Sequence, residues 1–218
     1  MKIAVLTMHT HEISDYALQT LGNKFEYCER NKYKLISVGS SVVTDRPLVW
    51  SKIRLIQTYT PIYDGIVWID ADAVIVDMGM RLEQFFENDF VITRDRDSRV
   101  RADNGSVNAG VFFVKSCSWS ESFLRDVYGK VGYSDPCKLR CPGCSYLHDG
   151  CEQRAIDFFC NQEENKSHVC VWKNDIFNKH SRDYDGDVLD NAFIIHPYGI
   201  QGEAKKELLE KFLGLVKR

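Results

Sequence analysis

Apolar and polar positions change period several times along the chain. Residues 2–7 hold the run Ile3-Ala4-Val5-Leu6, as in a short strand buried on both faces. From Ile13 to Arg30 the apolar positions fall at Tyr16-Ala17, Leu21, Phe25 and Cys28, which is helical spacing. Leu35-Ile36-Ser37-Val38 reads as a second strand, closed by Gly39-Ser40-Ser41. A helix over Trp50–Tyr59 stops at Thr60-Pro61, because the residue before a proline is driven out of the helical region. The turn Asp64-Gly65 then leads into Ile66-Val67-Trp68-Ile69, a buried strand.

The alternation continues through Ala73–Val76, a short helix at Leu82–Phe86 and a strand at Phe90–Thr93. Arg94–Gly105 has no period and reads as a loop. Gly110–Val114 is a further strand, Trp119–Tyr128 and Glu152–Cys160 are helices, and Val169–Trp172 and Phe193–Ile195 close the set of strands. The tail from Gly202 puts Leu208, Phe212, Leu215 and Val216 on one face of a docking helix. Strands alternating with helices imply an α/β fold whose sheet is largely parallel and covered on both faces. No repeat, linker or low-complexity tract divides residues 1–218, so one domain is expected, interrupted by an irregular Cys-, Pro- and Gly-rich loop over about 133–151.

Composition narrows the function. A net charge of -3 argues against nucleic acid as the main partner, since phosphate binding normally needs a basic face. No apolar run is long enough to span a membrane, and His9, His11 and Glu12 end the first one too early for a signal peptide. Membrane association is therefore not evident, and either a cytosolic protein or a lumenal catalytic domain without its anchor is expected. Of the eight cysteines, Cys137, Cys141, Cys144 and Cys151 cluster around His148 in a spacing unlike the usual zinc modules. A structural metal, disulfides and free thiols all stay open for them. Cys28, Cys117, Cys160 and Cys170 read as small core residues. Asn104-Gly105-Ser106 and Asn165-Lys166-Ser167 fit the N-glycosylation pattern, which matters only in a secretory lumen.

Ligands of open α/β sheets bind beyond the carboxyl ends of the strands. There the strand Ile66–Ile69 runs into Asp70-Ala71-Asp72. Two carboxylates at i and i+2 leave an extended chain on opposite sides. Once the strand turns they can serve one hard divalent cation, with diphosphate oxygens as further ligands. The pattern recurs at Asp95/Asp97, Asp183/Asp185 and Asp185/Asp187, and only the first follows a buried strand. Taken alone, a metal pair and a pair of solvated loop carboxylates are both tenable.

Val67-Trp68-Ile69-Asp70-Ala71-Asp72-Ala73-Val74-Ile75 resembles the metal-binding strand of the fungal Golgi galactosyl- and mannosyltransferases and the plant xyloglucan xylosyltransferases, a retaining GT-A family. Four further blocks match in order. They are Trp50-Ser51-Lys52; Asn108-Ala109-Gly110-Val111-Phe112 with the trailing Ser118-Trp119-Ser120; Glu152-Gln153-Arg154-Ala155; and Gly186-Asp187 with Ile194-Ile195-His196. The resemblance implies a GT-A, mixed but mainly parallel sheet flanked by helices. It implies a nucleotide-sugar donor, UDP-sugar ahead of GDP-sugar, with Mn²⁺ or Mg²⁺, and a glycan or glycoprotein acceptor.

By the same resemblance, Asp70 faces the donor ribose or the metal, Asp72 ligates the metal and His196 supplies a third ligand. Thr7 and Met8, with His9, would lie by the nucleotide base, and Ala71 completes the motif. Asn108, Ala109 and Gly110 precede a strand expected beside the metal strand, where a small residue lets the backbone approach a sugar closely or only permits the chain reversal. Gln153 would lie by the reacting carbon and Glu152 would bind the donor sugar, while Lys52 could reach a donor phosphate. Cys151 stands where the family often has another acidic residue. The family's basic residue after the histidine has no clear counterpart, Gln201, Lys205 and Lys206 being the nearby positions. Retention is expected, the departing phosphate oxygen accepting the acceptor's proton. Glu152 is the one plausible nucleophile for a two-step route, and Asp149 or Glu152 a base for an inverting one. The competing reading is a catalytically inactive nucleotide-sugar- or carbohydrate-binding module on the same fold.

Overall fold

The computed structural model describes residues 1–95, 107–130, 152–172, 176–181 and 191–217. The chain runs through β1 (Ile3–Met8), α1 (Ser14–Asn31), β2 (Lys34–Val38), α2 (Ser51–Tyr59), β3 (Gly65–Ile69), β4 (Val74–Ile75) and β5 (Phe90–Arg94). It continues through β6 (Val107–Lys115), α3 (Ser118–Gly129), α4 (Glu152–Cys160), β7 (Val169–Trp172), β8 (Lys179–His180), β9 (Ile194–His196) and α5 (Gly202–Gly214). The main sheet has the order β2-β1-β3-β6-β5-β7. Its β1/β2, β1/β3 and β5/β7 pairs are parallel, and β6 runs antiparallel between β3 and β5. A small second sheet, β4-β9-β8, lies beyond it.

The continuous apolar runs are explained by burial on both faces. Ala4, Leu6, Ile66, Trp68, Phe112 and Val114 pack with Trp50, Ile53 and Ile56 at α2, with Phe123, Leu124 and Val127 of α3, and with Ala155 and Ile156 of α4. Their sequence neighbours Ile3, Val5, Val67, Ile69, Val111 and Phe113 pack with Tyr27 and Cys28 of α1 and with Phe85, Phe177 and Phe193. The tail helix docks as its stripe predicts, but Leu209 rather than Leu208 goes deepest, beside Phe212 and against Val74, Val76 and Ile195.

Three elements differ from the sequence reading. β6 starts at Val107, three residues before the expected Gly110, and a register shift opposite Ile92/Thr93 makes its first part bulge. The Leu82–Phe86 helix is one 3₁₀ turn, Leu82–Phe85. The two-residue strand β8 carries no sequence signal. Cys28 and Cys160 are buried as expected, Cys117 and Cys170 are half-buried, and all four are free thiols. The cluster Cys137, Cys141, Cys144, Cys151 and His148 lies outside the described residues, as do Asp149, Asp97, Asp183, Asp185, Gly186-Asp187 and Asn104. Asn165 is buried and donates its amide to Phe159 O at 2.9 Å, so its sequon presents no free acceptor nitrogen.

Helix α1 turns a polar face inward. Thr20, Asn23, Lys24 and Asn31 are buried, and their side chains hold the backbone that follows β3. Thr20 Oγ1 donates to Ala71 O, and Lys24 Nζ donates to Ala73 O at 2.8 Å and to Ala71 O at 3.4 Å. Asn23 makes two hydrogen bonds with Ile75, its Oδ1 accepting from Ile75 N–H at 2.8 Å and its Nδ2 donating to Ile75 O at 2.9 Å, and Asn31 donates to Met78 O at 3.0 Å. A short strand such as β4, paired on one side only by β9, leaves backbone groups that must find partners elsewhere; α1 supplies them.

Burial pulls the Lys24 ammonium down to about 7, against the opposing pull of the Asp72 and Asp70 carboxylates. The folded value lies below the unfolded 10.5, so between the two the unfolded chain holds the additional proton. Wild type is therefore expected to gain stability over Lys24→Met as pH rises from about 7 towards 10.5, and to gain nothing further above it. Urea midpoints of both proteins across that range check the slope; parallel profiles would refute it.

Candidate metal and donor site

β3 ends at Ile69; the next residue, Asp70, donates its N–H to Gly110 O at 2.8 Å, and a turn closes at once with Ala73 N–H donating to Asp70 O at 3.2 Å. The turn cancels the alternation of the strand, so both carboxylates face one place. There Asp70, Asp72 and His196, the last residue of β9, bring one ligand atom each within 4.8 Å of one another. His196 Nε2 lies 3.1 Å from Asp72 Oδ1 and 4.0 Å from Asp70 Oδ2. Lys205, in the first turns of α5, donates to the other Asp72 oxygen. Burial would raise the Asp72 carboxyl, but His196 and Lys205 outweigh it and hold it far below the usual carboxylate range. It stays ionised.

The imidazole of His196 lies against the backbone of Gly110. A Cβ at Gly110 would sit 2.1 Å from His196 Cε1, which no side-chain adjustment of a buried ring relieves. This glycine is required by the histidine, whereas close approach to a sugar was the sequence-based expectation. The bulge in β6 brings Asn108 to the same place: its Oδ1 accepts from Gly110 N–H at 2.9 Å and from Asn178 Nδ2 at 2.8 Å.

Lys52 is placed differently from its expected phosphate-reaching role. Its ammonium is buried and donates to Ala109 O at 2.7 Å and Glu152 Oε1 at 2.9 Å, with Asp70 Oδ1 at 3.3 Å. Those three acceptors use all its N–H groups. Burial favours the neutral amine, but Asp70 and Glu152 override it and hold Lys52 well above the ordinary lysine range. Glu152 is itself only 6% exposed, at the start of α4. The next residue, Gln153, accepts from Ala109 N–H at 3.0 Å through Oε1. Asp70 Oδ1 also accepts from Trp68 Nε1 at 2.6 Å, so its Oδ2 is the oxygen turned toward His196.

Thr7 and Met8 close β1, which runs parallel to β3 with Leu6 opposite Trp68. Thr7 Oγ1 is buried and has no hydrogen-bond partner among the described residues. The structure thus brings Lys52, Asp70, Asp72, Asn108, Ala109, Gly110, Glu152, Gln153 and His196 into one cluster, with Thr7 and Met8 on the neighbouring strand. Sequence reasoning missed Asn178 altogether and left Lys205 undecided; neither lies in a recognisable motif.

The sequence model of the galactosyl transferase GMA12/MNN10 family matches residues 2–96. Galactomannan galactosyltransferase 1 of Cyamopsis tetragonoloba is 29% identical over 125 residues, 55% of this chain and 28% of that protein. The probable xyloglucan 6-xylosyltransferase 1 of Oryza sativa subsp. indica is 23% identical over 212 residues, 90% of this chain and 43% of its own length. The chain thus spans less than half of these curated relatives. Among solved structures, a glycosyltransferase involved in glycosylating the major capsid of PBCV-1 superposes with a TM-score of 0.72 at 16% identity, covering 97% of this chain and all of that one. The galactosyltransferase LgtC, solved with donor and acceptor sugar analogues, gives 0.57 at 12% identity, over 99% of this chain and 96% of that one. At such identities the superpositions establish the fold, and the sequence matches establish the likeness. The chain has the GT-A glycosyltransferase fold and resembles the galactosyl transferase GMA12/MNN10 family, whose sequence model it matches over residues 2–96.

Proposed function

We propose that residues 1–218 form one GT-A domain that transfers a hexose or pentose from a nucleotide-diphosphate sugar to an acceptor hydroxyl, with retention at the anomeric carbon. The observation that carries this reading is the convergence of Asp70, Asp72 and His196 at the carboxyl end of β3. Two carboxylates and an imidazole suit Mn²⁺, and Mg²⁺ with more water in its shell. The donor set fits the ion in a second respect: the two carboxylates bring the negative charge that a divalent ion needs, and the imidazole a neutral ligand. When bound, the ion neutralises the diphosphate and lowers the cost of its departure.

The chain's own residues supply the rest. Lys205, which shares Asp72 with His196, adds positive charge beside the leaving diphosphate. Thr7, with its unpartnered hydroxyl, and Met8 line the nucleotide end; a UDP-sugar is proposed ahead of a GDP-sugar from the family resemblance. Gln153, fixed by Ala109 N–H, keeps its side-chain amide for the donor sugar. Glu152, buried and paired with Lys52, is poorly placed as a nucleophile, which supports direct front-face transfer. In that step the sugar carbon's bond to the phosphate oxygen breaks, its bond to the acceptor oxygen forms, and the acceptor's proton goes to the departing phosphate oxygen.

No helix among the described residues is long and apolar enough to cross a membrane. The proposed acceptor is a glycan or glycoprotein; the residues expected from the sequence to meet it, 94–106 and 133–151, lie outside the described residues except for 94 and 95.

Thermal midpoints with UDP, GDP and CMP, each with and without Mn²⁺, test the proposal. A rise with UDP that requires Mn²⁺ is expected, worth about 2.7 kcal/mol at roughly 100 times the dissociation constant. No rise with any nucleotide on folded protein would replace it with the inactive-module reading. NMR of the product showing an inverted anomer would remove retention.

A further inference from the structure

One backbone amide fixes the chemistry of His196. The Gly110 N–H can only donate, and it donates to Asn108 Oδ1 at 2.9 Å, which identifies that atom as the amide oxygen. The group of Asn178 that meets the same oxygen at 2.8 Å must then be its NH₂, which also reaches Thr93 Oγ1 at 3.1 Å. Asn178 therefore turns its own oxygen to His196 Nδ1, 3.0 Å away, and Nδ1 must carry a hydrogen. Nε2 meets Asp72 Oδ1 at 3.1 Å: it donates there while the ring is charged, as the ionised carboxylate requires, and offers its lone pair once that hydrogen is released.

We propose that Asn178 is a positioning residue that holds His196 as its Nδ1–H tautomer, so that Nε2 is committed to the metal. The inference rests on the metal reading of Asp70, Asp72 and His196. A buried ring without such a partner can rotate or carry its hydrogen on Nε2, and in either case it ceases to be a ligand. Asn178 is 2% exposed and His196 3%, so water does not substitute for this bond. Partners of this kind orient metal-binding histidines and set the nitrogen that binds.

Long-range ¹H–¹⁵N spectra of histidine-labelled, metal-free protein, taken at a pH where the ring is neutral, report the tautomer directly. Wild type is expected to show a protonated Nδ1 and a bare Nε2 at His196, and Asn178→Leu to lose that preference. Asn178→Asp retains an acceptor toward the ring and is expected to retain the tautomer. Mn²⁺ binding, followed by the EPR signal of the free ion, is expected to weaken about 10- to 100-fold in Asn178→Leu. A wild-type ring with its hydrogen on Nε2 overturns the proposal even if the variants do not fold. So does an Asn178→Leu protein that keeps the Nδ1–H form or binds Mn²⁺ as wild type does. Wild type that shows the Nδ1–H form yet binds no Mn²⁺ removes the metal reading and leaves the hold of Asn178 on the ring standing.

Discussion

Replacing Asp72, the proposed metal ligand, by Asn is expected to lower the proposed Mn²⁺-dependent sugar transfer by about 10²- to 10³-fold, the scale seen when one electrostatic contact to a developing charge is removed. Asp72 is the one carboxylate of the pair that meets His196 within hydrogen-bonding distance and also receives Lys205. Its carboxyl stays ionised far below neutral pH, so it is ready for a cation throughout the physiological range. Asn keeps the shape and one acceptor oxygen but brings no charge. His196 and Lys205 side chains are only 4% and 12% exposed, so losing their shared anion is also expected to cost about 3 kcal/mol of stability. Donor hydrolysis and transfer rates, measured where circular dichroism shows the variant folded, separate the two effects. Turnover within tenfold of wild type would remove Asp72 from the metal site.

Lys52→Met is expected to lower stability by about 3–5 kcal/mol. The Lys52 and Glu152 side chains are 7% and 8% exposed, and Asp70 makes the second carboxylate against the same ammonium. Deleting the cation leaves two anions facing each other at the start of α4 and the end of β3. Adding Glu152→Gln removes one of them and is expected to recover a large part of the loss, a non-additivity that a double-mutant cycle reads directly. Lys52→Arg is expected to rescue poorly, because a planar fork does not match three acceptors arranged around a compact ammonium. Urea denaturation of wild type, Lys52→Met, Glu152→Gln, the double variant and Lys52→Arg decides it. Equal losses in the single and double variants would show that Glu152 does not depend on Lys52.

Most of the architecture was legible because it follows from period. The buried strands announced themselves as apolar runs, and α1–α5 each carried a helical stripe. What the sequence hid was polar burial. Thr20, Asn23, Lys24 and Asn31 are spaced as one face of a helix, and such a face is ordinarily solvated; here it answers the backbone of residues 71–78, which no local pattern discloses. The metal candidates were recognisable as a motif on a strand end. The tasks of Lys52 and Gly110 were not, because each depends on a partner far away in sequence: Glu152 for one, the ring of His196 for the other. Asn178 lies in the short stretch Phe177-Asn178-Lys179, where neither spacing nor composition distinguishes it.

The contacts that assemble the site also have a kinetic meaning. Lys52 meets a residue 100 positions on, Asp72 one 124 positions on and another 133 positions on. Closing loops of that length is entropically unfavourable until the central strands are paired, so these bonds belong to the last stage of folding. Substitutions at Lys52, Asp72 and His196 should therefore leave the refolding rate nearly untouched and express their whole cost as faster unfolding. The site then acts as a latch on a fold already formed, and the lifetime of the native state depends on it more than the speed of reaching that state.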